Sequence, residues 1–184
     1  MEEILMSFTP EACELLADKQ TLSIRKSKPK GDGPFKVYVY CTKKSYRIFG
    51  NSKSFITDKL NLIKSPKDVE RTSGTFLWNG KIIGEFICNE IYYRNCDIHD
   101  YDTITLEELS ELSCLSEDEI LKKADRGYIW GWEISDLKFY DKPLELSEFC
   151  VPESYKFSTQ RKQIIYKRGL TPPRSWCYVE KKGA

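Results

Sequence analysis

No stretch of this chain reads as a long helix. Its apolar segments are short, and most are rich in β-branched and aromatic residues, which suit a pleated, half-buried surface. Segments 4–8, 21–25, 35–41, 75–78, 81–88, 128–134, 163–166 and 175–179 predict strands. The fifth runs on toward Ile91 and Tyr93, and 137–140 either extends the strand before it or starts another. Parallel strands need long crossover connections, usually helices. The chain supplies only three short helical patterns, so the expected class is α+β: a small mixed β-barrel with short flanking helices, not a layered α/β sheet.

The helical patterns carry their own start signals. Thr9 caps a helix opened by Pro10 and Glu11 and running to about Ala17, with Ala12, Leu15 and Leu16 on its apolar face. Thr105 with Glu108, and Ser116 with Glu119, match the capping box and predict short helices over 106–112 and 117–124. Asn79-Gly80 is a hairpin signal between two strand-like arms. Asp141-Lys142-Pro143 reads as a turn, 144–149 as a loop or one helical turn, and 28–34 as a loop. Segment 42–79 is polar and irregular and reads as an insertion within a single domain spanning 1–184.

Several function classes are excluded or narrowed. With 40% hydrophobic and 31% charged residues the composition is that of an ordinary globular protein, and no apolar run approaches the roughly 20 residues of a membrane helix. No leader is visible after Met1-Glu2-Glu3, and none of the seven cysteines forms a Cys-x-x-Cys pair, so reduced thiols in a cytoplasmic setting are expected. His99 is the only histidine and sits among acids, which argues against a two-histidine zinc site and against a His-dependent triad. Neither a metal nor a cofactor is expected.

The stretch from Leu15 to Pro29 organises what remains: a helix end, a turn at Asp18-Lys19-Gln20, an alternating strand, then lysines. Leu22 and Ile24 point one way, and Thr21, Ser23 and Arg25 the other. The plain expectation is a half-buried strand with a wet face. The functional one is a cleft lined by Gln20, Thr21, Ser23 and Arg25. Charge is segregated although the net charge is only +1. Residues 19–47 hold nine Lys/Arg (19, 25, 26, 28, 30, 36, 43, 44, 47) against Asp32 alone; 156–168 hold five and no acid; 97–119 hold nine acids and no Lys or Arg. If the two basic stretches meet, they form a patch able to attract phosphate, with Lys26, Lys28 and Lys30 nearest the strand. Trp130 and Trp132 could stack a base, though paired tryptophans on one strand face are more often core.

The run Ala17-Asp18-Lys19-Gln20-Thr21-Leu22-Ser23-Ile24-Arg25 between a helix and a strand resembles the ASCH family of the PUA-like superfamily. In that family's Gly-x-Lys-x-x-Glu-x-Arg motif, Arg25 matches, whereas Asp18, Gln20 and Ser23 stand at the Gly, Lys and Glu positions. The run is also similar to that of small bacterial ASCH-type amidohydrolases acting on acetylcytidine, where Ser23 stands at the Thr nucleophile and Gln20 at the Lys. Segments 35–41, 80–88, 128–149 and 172–180 are similar to larger bacterial and phage ASCH-domain proteins. The resemblance implies a β-barrel with a cleft beside the motif, and RNA or modified nucleosides as ligands.

Three functions follow as expectations. The first is a non-catalytic module binding RNA or a modified nucleoside through Gln20, Thr21, Ser23 and Arg25, flanked by Lys26, Lys28, Lys30, Trp130 and Trp132. The second is an amidohydrolase acting on an N-acylated pyrimidine nucleoside, with Ser23 as nucleophile. Glutamine cannot hold a proton, so Lys19 would have to replace the missing lysine, with Glu111 as the later acid. The third is a phage-borne protein-interaction or inhibitor module that uses the acidic segment 97–119 to mimic nucleic-acid charge.

Overall fold

The computed structural model describes residues 1–43, 47–51, 62–63, 75–96, 102–124, 127–155 and 170–183. Its strands are β1 (Glu2–Phe8), β2 (Leu22–Arg25), β3 (Phe35–Cys41), β4 (Arg47–Asn51), β5 (Leu62–Ile63), β6 (Thr75–Leu77), β7 (Ile82–Cys88), β8 (Ile91–Asn95), β9 (Tyr128–Glu133), β10 (Ser135–Leu144), β11 (Phe149–Cys150), β12 (Trp176–Tyr178) and β13 (Glu180–Lys181). The helices are α1 (Pro10–Asp18), α2 (Leu106–Ser113) and α3 (Glu117–Lys123). The α+β expectation holds. Among the described residues, however, the strands form four separate sheets, in the orders β10-β7-β3-β1-β12, β2-β9-β8, β5-β4-β6 and β11-β13, and no ladder closes them into one cylinder.

The five-stranded sheet is the floor. Its one parallel pair is β1 with β3, and the intervening crossover carries α1 and β2. Ile4, Met6, Phe8, Val37, Val39 and Phe86 form one face of this sheet and pack with Cys13 and Leu16 of α1 and with Trp132 of β9. The opposite face carries Leu5, Tyr38, Tyr40 and Ile82 and packs on Phe149 and Val179. The sheet β2-β9-β8 is the roof. Its outer face carries Leu22, Ile24 and Ile129 under Leu109 of α2 and Ile120 of α3.

Local signals held where the partner is local. Both capping boxes form: Thr105 and Ser116 accept from the backbone of Glu108 and Glu119, whose carboxylates accept in return. Thr9 caps α1, whose buried positions are Pro10, Cys13 and Leu16. Residues 146–148 make the single helical turn allowed for there.

Two expectations change. Asn79-Gly80 does form a turn, with Gly80 at φ +82° and Lys81 N–H donating to Trp78 O, but its arms do not pair with each other. Strand β6 pairs with β4 while β7 pairs with β3 and β10, because Cys41 and Lys81 draw the second arm into the main sheet. Asp141-Lys142-Pro143 lies within β10 as an irregularity in its register. Proline is tolerated there because β10 is the edge of the five-stranded sheet, where a missing N–H costs no ladder bond. The expected insertion at 42–79 contributes β4, β5 and β6; its residues 44–46, 52–61 and 64–74, the predicted strand 163–166 and His99 lie outside the described residues.

Candidate functional site

Strand β2 has no wet face. Leu22 and Ile24 lie under the helix pair, and Ser23 is buried as well, because the second face of β2 looks into the space between floor and roof. Register fixes what surrounds it. Ser23 stands opposite Trp132, which stands opposite Ile91; Arg25 stands opposite Trp130, which stands opposite Tyr93. Directly opposed residues in antiparallel strands share a face, so the inner face of the roof carries two cross-strand rows.

The inner row is filled. Trp132 is fully buried, 6.3 Å from the Phe35 ring and 5.6 Å from Trp176, and its indole N–H donates to Ser27 O at 3.3 Å. It has no surface to offer a base. Gln20 is also buried, and its amide N–H groups donate to Leu22 O at 2.9 Å and Ser113 O at 3.3 Å. The residue at the lysine position of the motif therefore ties the turn after α1 to the end of α2. Thr21 is exposed and its hydroxyl donates to Leu112 O at 3.4 Å.

The outer row is different. Arg25 is half-buried, with its guanidinium carbon 4.5 Å from the centre of the Phe8 ring and its Nε buried without a hydrogen-bond partner. It forms no ion pair with Glu85 or with Glu133, the acids a structural pairing across the sheets would use. Glu85 pairs with Lys36 at 2.9 Å and accepts from Tyr140, and none of the three ion pairs among the described residues includes Arg25. Burial pulls the guanidinium down to about 10, offset in part by the Cys13 thiol. Lys123 of α3 is held below its ordinary value by burial and then by Arg25, so a second cation lies within the field of the guanidinium.

Beside Arg25, the Trp130 and Tyr93 rings lie 4.8 Å apart, inclined at 50°. Lys28 Nζ stands 5.2 Å from the centre of the Trp130 ring. Lys26, Ser27, Lys28, Tyr93, Tyr128 and Trp130 line an open recess of about 400 Å³. Lys28 also borders a second recess of about 310 Å³ whose walls include Asp32 and Glu90. A third, of about 500 Å³, is lined by Asp102, Glu108 and the paired Arg94. Lys30 is exposed on the same loop, where its N–H donates to Tyr178 Oη at 2.9 Å.

The fold thus brings Lys26, Lys28 and Trp130 to one mouth, sets Arg25 opposite Trp130 in the strand pairing, and leaves Gln20, Ser23 and Trp132 behind it. Tyr93 and Tyr128 went unnoticed in the sequence. Nothing local marks Tyr93, which only its register with β9 puts beside Trp130, whereas Tyr128 lies two residues before Trp130 on β9 and shares its face by alternation. Of the residues considered for hydrolysis, Lys19 is exposed at the C-cap of α1, Glu111 is exposed on α2, and Ser23 is buried. Among the described residues no hydrogen bond joins Ser23 to a lysine or a carboxylate. None of the described groups of His, Cys, Asp and Glu has three members placed to hold a metal ion, and none of the described helices is long and apolar enough to cross a membrane.

A roof of three strands over a five-stranded floor, with a helix leading into the motif strand, defines an ASCH-domain fold. Solved structures it is similar to include those of ASCH from Zymomonas mobilis. The unaltered protein superposes with a TM-score of 0.54 at 13% identity, covering 98% of this chain and 90% of that one. Two mutant forms of it each superpose at 0.56, with 13% and 12% identity, covering 98% of this chain and 89% and 92% of theirs. No family model and no curated protein matches the sequence. At this identity the likeness carries the fold alone.

Proposed function

We propose that this chain is a non-catalytic PUA-like module that binds RNA or a modified nucleoside at the open end of the roof sheet. The observation that carries this reading is the outer row: an arginine without an acid partner, in register with Trp130 and Tyr93, two rings that line a recess together with Lys26 and Lys28. Aromatic faces accept bases of any sequence, and ammonium and guanidinium groups accept phosphate. In this reading floor and roof are the walls of the PUA-like barrel, and the ligand sits at its mouth. The amidohydrolase reading has less behind it, because the hydroxyl at Ser23 has no base in contact and faces a tryptophan.

Fluorescence anisotropy with a short labelled single-stranded RNA at low salt tests the proposal. Binding is expected, and Trp130→Ala is expected to weaken it by about 1–3 kcal/mol, the range for losing one stacked base. RNA that fails to bind at low salt, or that binds Trp130→Ala as tightly as the unaltered protein, refutes the site.

A further inference from the structure

Lys28 holds a position that a simple basic contact would not need. Its ammonium lies over the Trp130 ring, on the surface where a base would stack. The backbone on either side of it is fixed. Ser27 O accepts from the indole N–H groups of Trp132 and Trp176, Ser27 Oγ accepts from Trp176 at 3.0 Å, Pro29 is buried, and Lys30 N–H and O both bond Tyr178 Oη. The loop is therefore pinned at both shoulders while the Lys28 side chain is exposed and borders two recesses. A lysine stem has four rotatable bonds, so the ammonium can leave the ring with no backbone movement.

Resting on the reading above, we propose that Lys28 is an exchangeable cap that makes the recess select a base carrying a phosphate. In the free protein its ammonium occupies the Trp130 face through a cation–π contact. An entering base takes over that face, and the displaced ammonium is satisfied only if the ligand brings an anion within its reach. A neutral nucleoside must evict Lys28 and offers it nothing. Bare phosphate draws the ammonium off the ring and leaves the aromatic face empty. A nucleotide supplies both partners. The same chemistry comes from a free nucleotide or from one unit of an RNA chain. The second recess, with Asp32 and Glu90 on its walls, is unfavourable to a further phosphate, so a chain gains little on that side.

The test measures dissociation constants for uridine, UMP and a uridine tetranucleotide with the unaltered protein, Lys28→Ala and Lys28→Arg. For the unaltered protein UMP is expected to bind about tenfold tighter than uridine, the scale of one charge-assisted contact. Lys28→Ala is expected to bring the two constants together from both sides: UMP weakens, while uridine binds as well or better because the ring is already bare. Lys28→Arg is expected to keep most of the preference. A tetranucleotide that matches UMP identifies a single-unit site; one that binds more than tenfold tighter identifies the RNA chain as the source. If the unaltered protein binds none of the three, the binding reading itself fails. If it binds them and Lys28→Ala leaves the UMP-to-uridine ratio unchanged, or weakens uridine as much as UMP, only the cap is overturned.

Discussion

Arg25 is a charge the fold tolerates without answering. Its Nε has no partner, the groups coupled to it electrostatically are a thiol and a lysine, and burial lowers its pKa to about 10. The Phe8 ring returns part of the lost hydration through a cation–π contact. An unpaired, partly desolvated cation is more often replaced than removed at a loss, provided the substitute fills the space. Arg25→Met is therefore expected to stabilise the protein by about 1 kcal/mol, a rise in Tm of about 2–4 °C for a chain of this size. The same substitution is expected to weaken RNA binding, since it empties one end of the outer row. The sign of the pH dependence follows from the lowered pKa. Between about 10 and the ordinary 12.5 the unfolded chain binds more protons at this position than the folded one. The native protein thus gains stability relative to Arg25→Met as pH rises through that window. Thermal melts at pH 7 and pH 10.5 check both parts; a lower Tm for Arg25→Met at pH 7 would mean that the guanidinium is satisfied within the fold. The sequence singled out this residue by its place in the motif and its alternation. It could not show that Glu85 on β7 is engaged elsewhere, because Lys36 and Tyr140 reach it across strands distant in sequence.

At the scale of elements, the division between what could and could not be read follows the range of the interaction. Helix caps, the span of β3 and the turn at Asn79-Gly80 depend on residues within a few positions of each other, and they stand where the sequence places them. Pairing partners depend on the whole sheet, so the arms around Gly80 part company and β2 loses its wet face. Two glycines that carried no message in the sequence set the spacing between elements. A Cβ at Gly131 would come 2.7 Å from Leu22 Cδ2 and 3.1 Å from Leu109 Cδ2, both ends of flexible side chains. A Cβ at Gly84 would run into the backbone carbonyl of Lys138 on the neighbouring strand β10. Side chains can rotate away and a ladder cannot, so Gly84→Ala is expected to cost about 2–3 kcal/mol and Gly131→Ala about 1 kcal/mol or less. Urea unfolding of the two variants checks the order. Equal losses would mean that β10 yields at its irregular register, or that α2 is held more rigidly than its side-chain contacts suggest.

Across the whole molecule, the roof sheet gathers acids on its helix-covered side, which Lys122 and Lys123 at the end of α3 offset only in part. Its helix-covered side bears Glu107, Glu108 and Glu111 on α2 and Glu117, Asp118 and Glu119 at the start of α3. Its mouth bears Lys26 and Lys28, with Arg25 opposite Trp130 in the pairing and the exposed Lys30 on the same loop. A net charge of +1 conceals this arrangement, and only the distribution along the sequence hinted at it. The consequence is a limit on how much nucleic acid one molecule can engage. If two or three cations at the mouth neutralise phosphates and the acidic side repels the rest, log K should fall with log salt with a slope of about −1.4 to −2.1 for single-stranded RNA. Replacing Glu107 and Glu111 together with glutamine should leave that slope unchanged, because their carboxylates stand on the far side of the sheet and neither belongs to a capping box. A titration of binding between 50 and 300 mM salt decides it. A slope near −4 or steeper would require more phosphate contacts than the mouth provides, and would bring the basic residues of 156–168 into the same surface. A slope near zero would remove phosphate from recognition, leaving the stacked rings to bind an uncharged ligand.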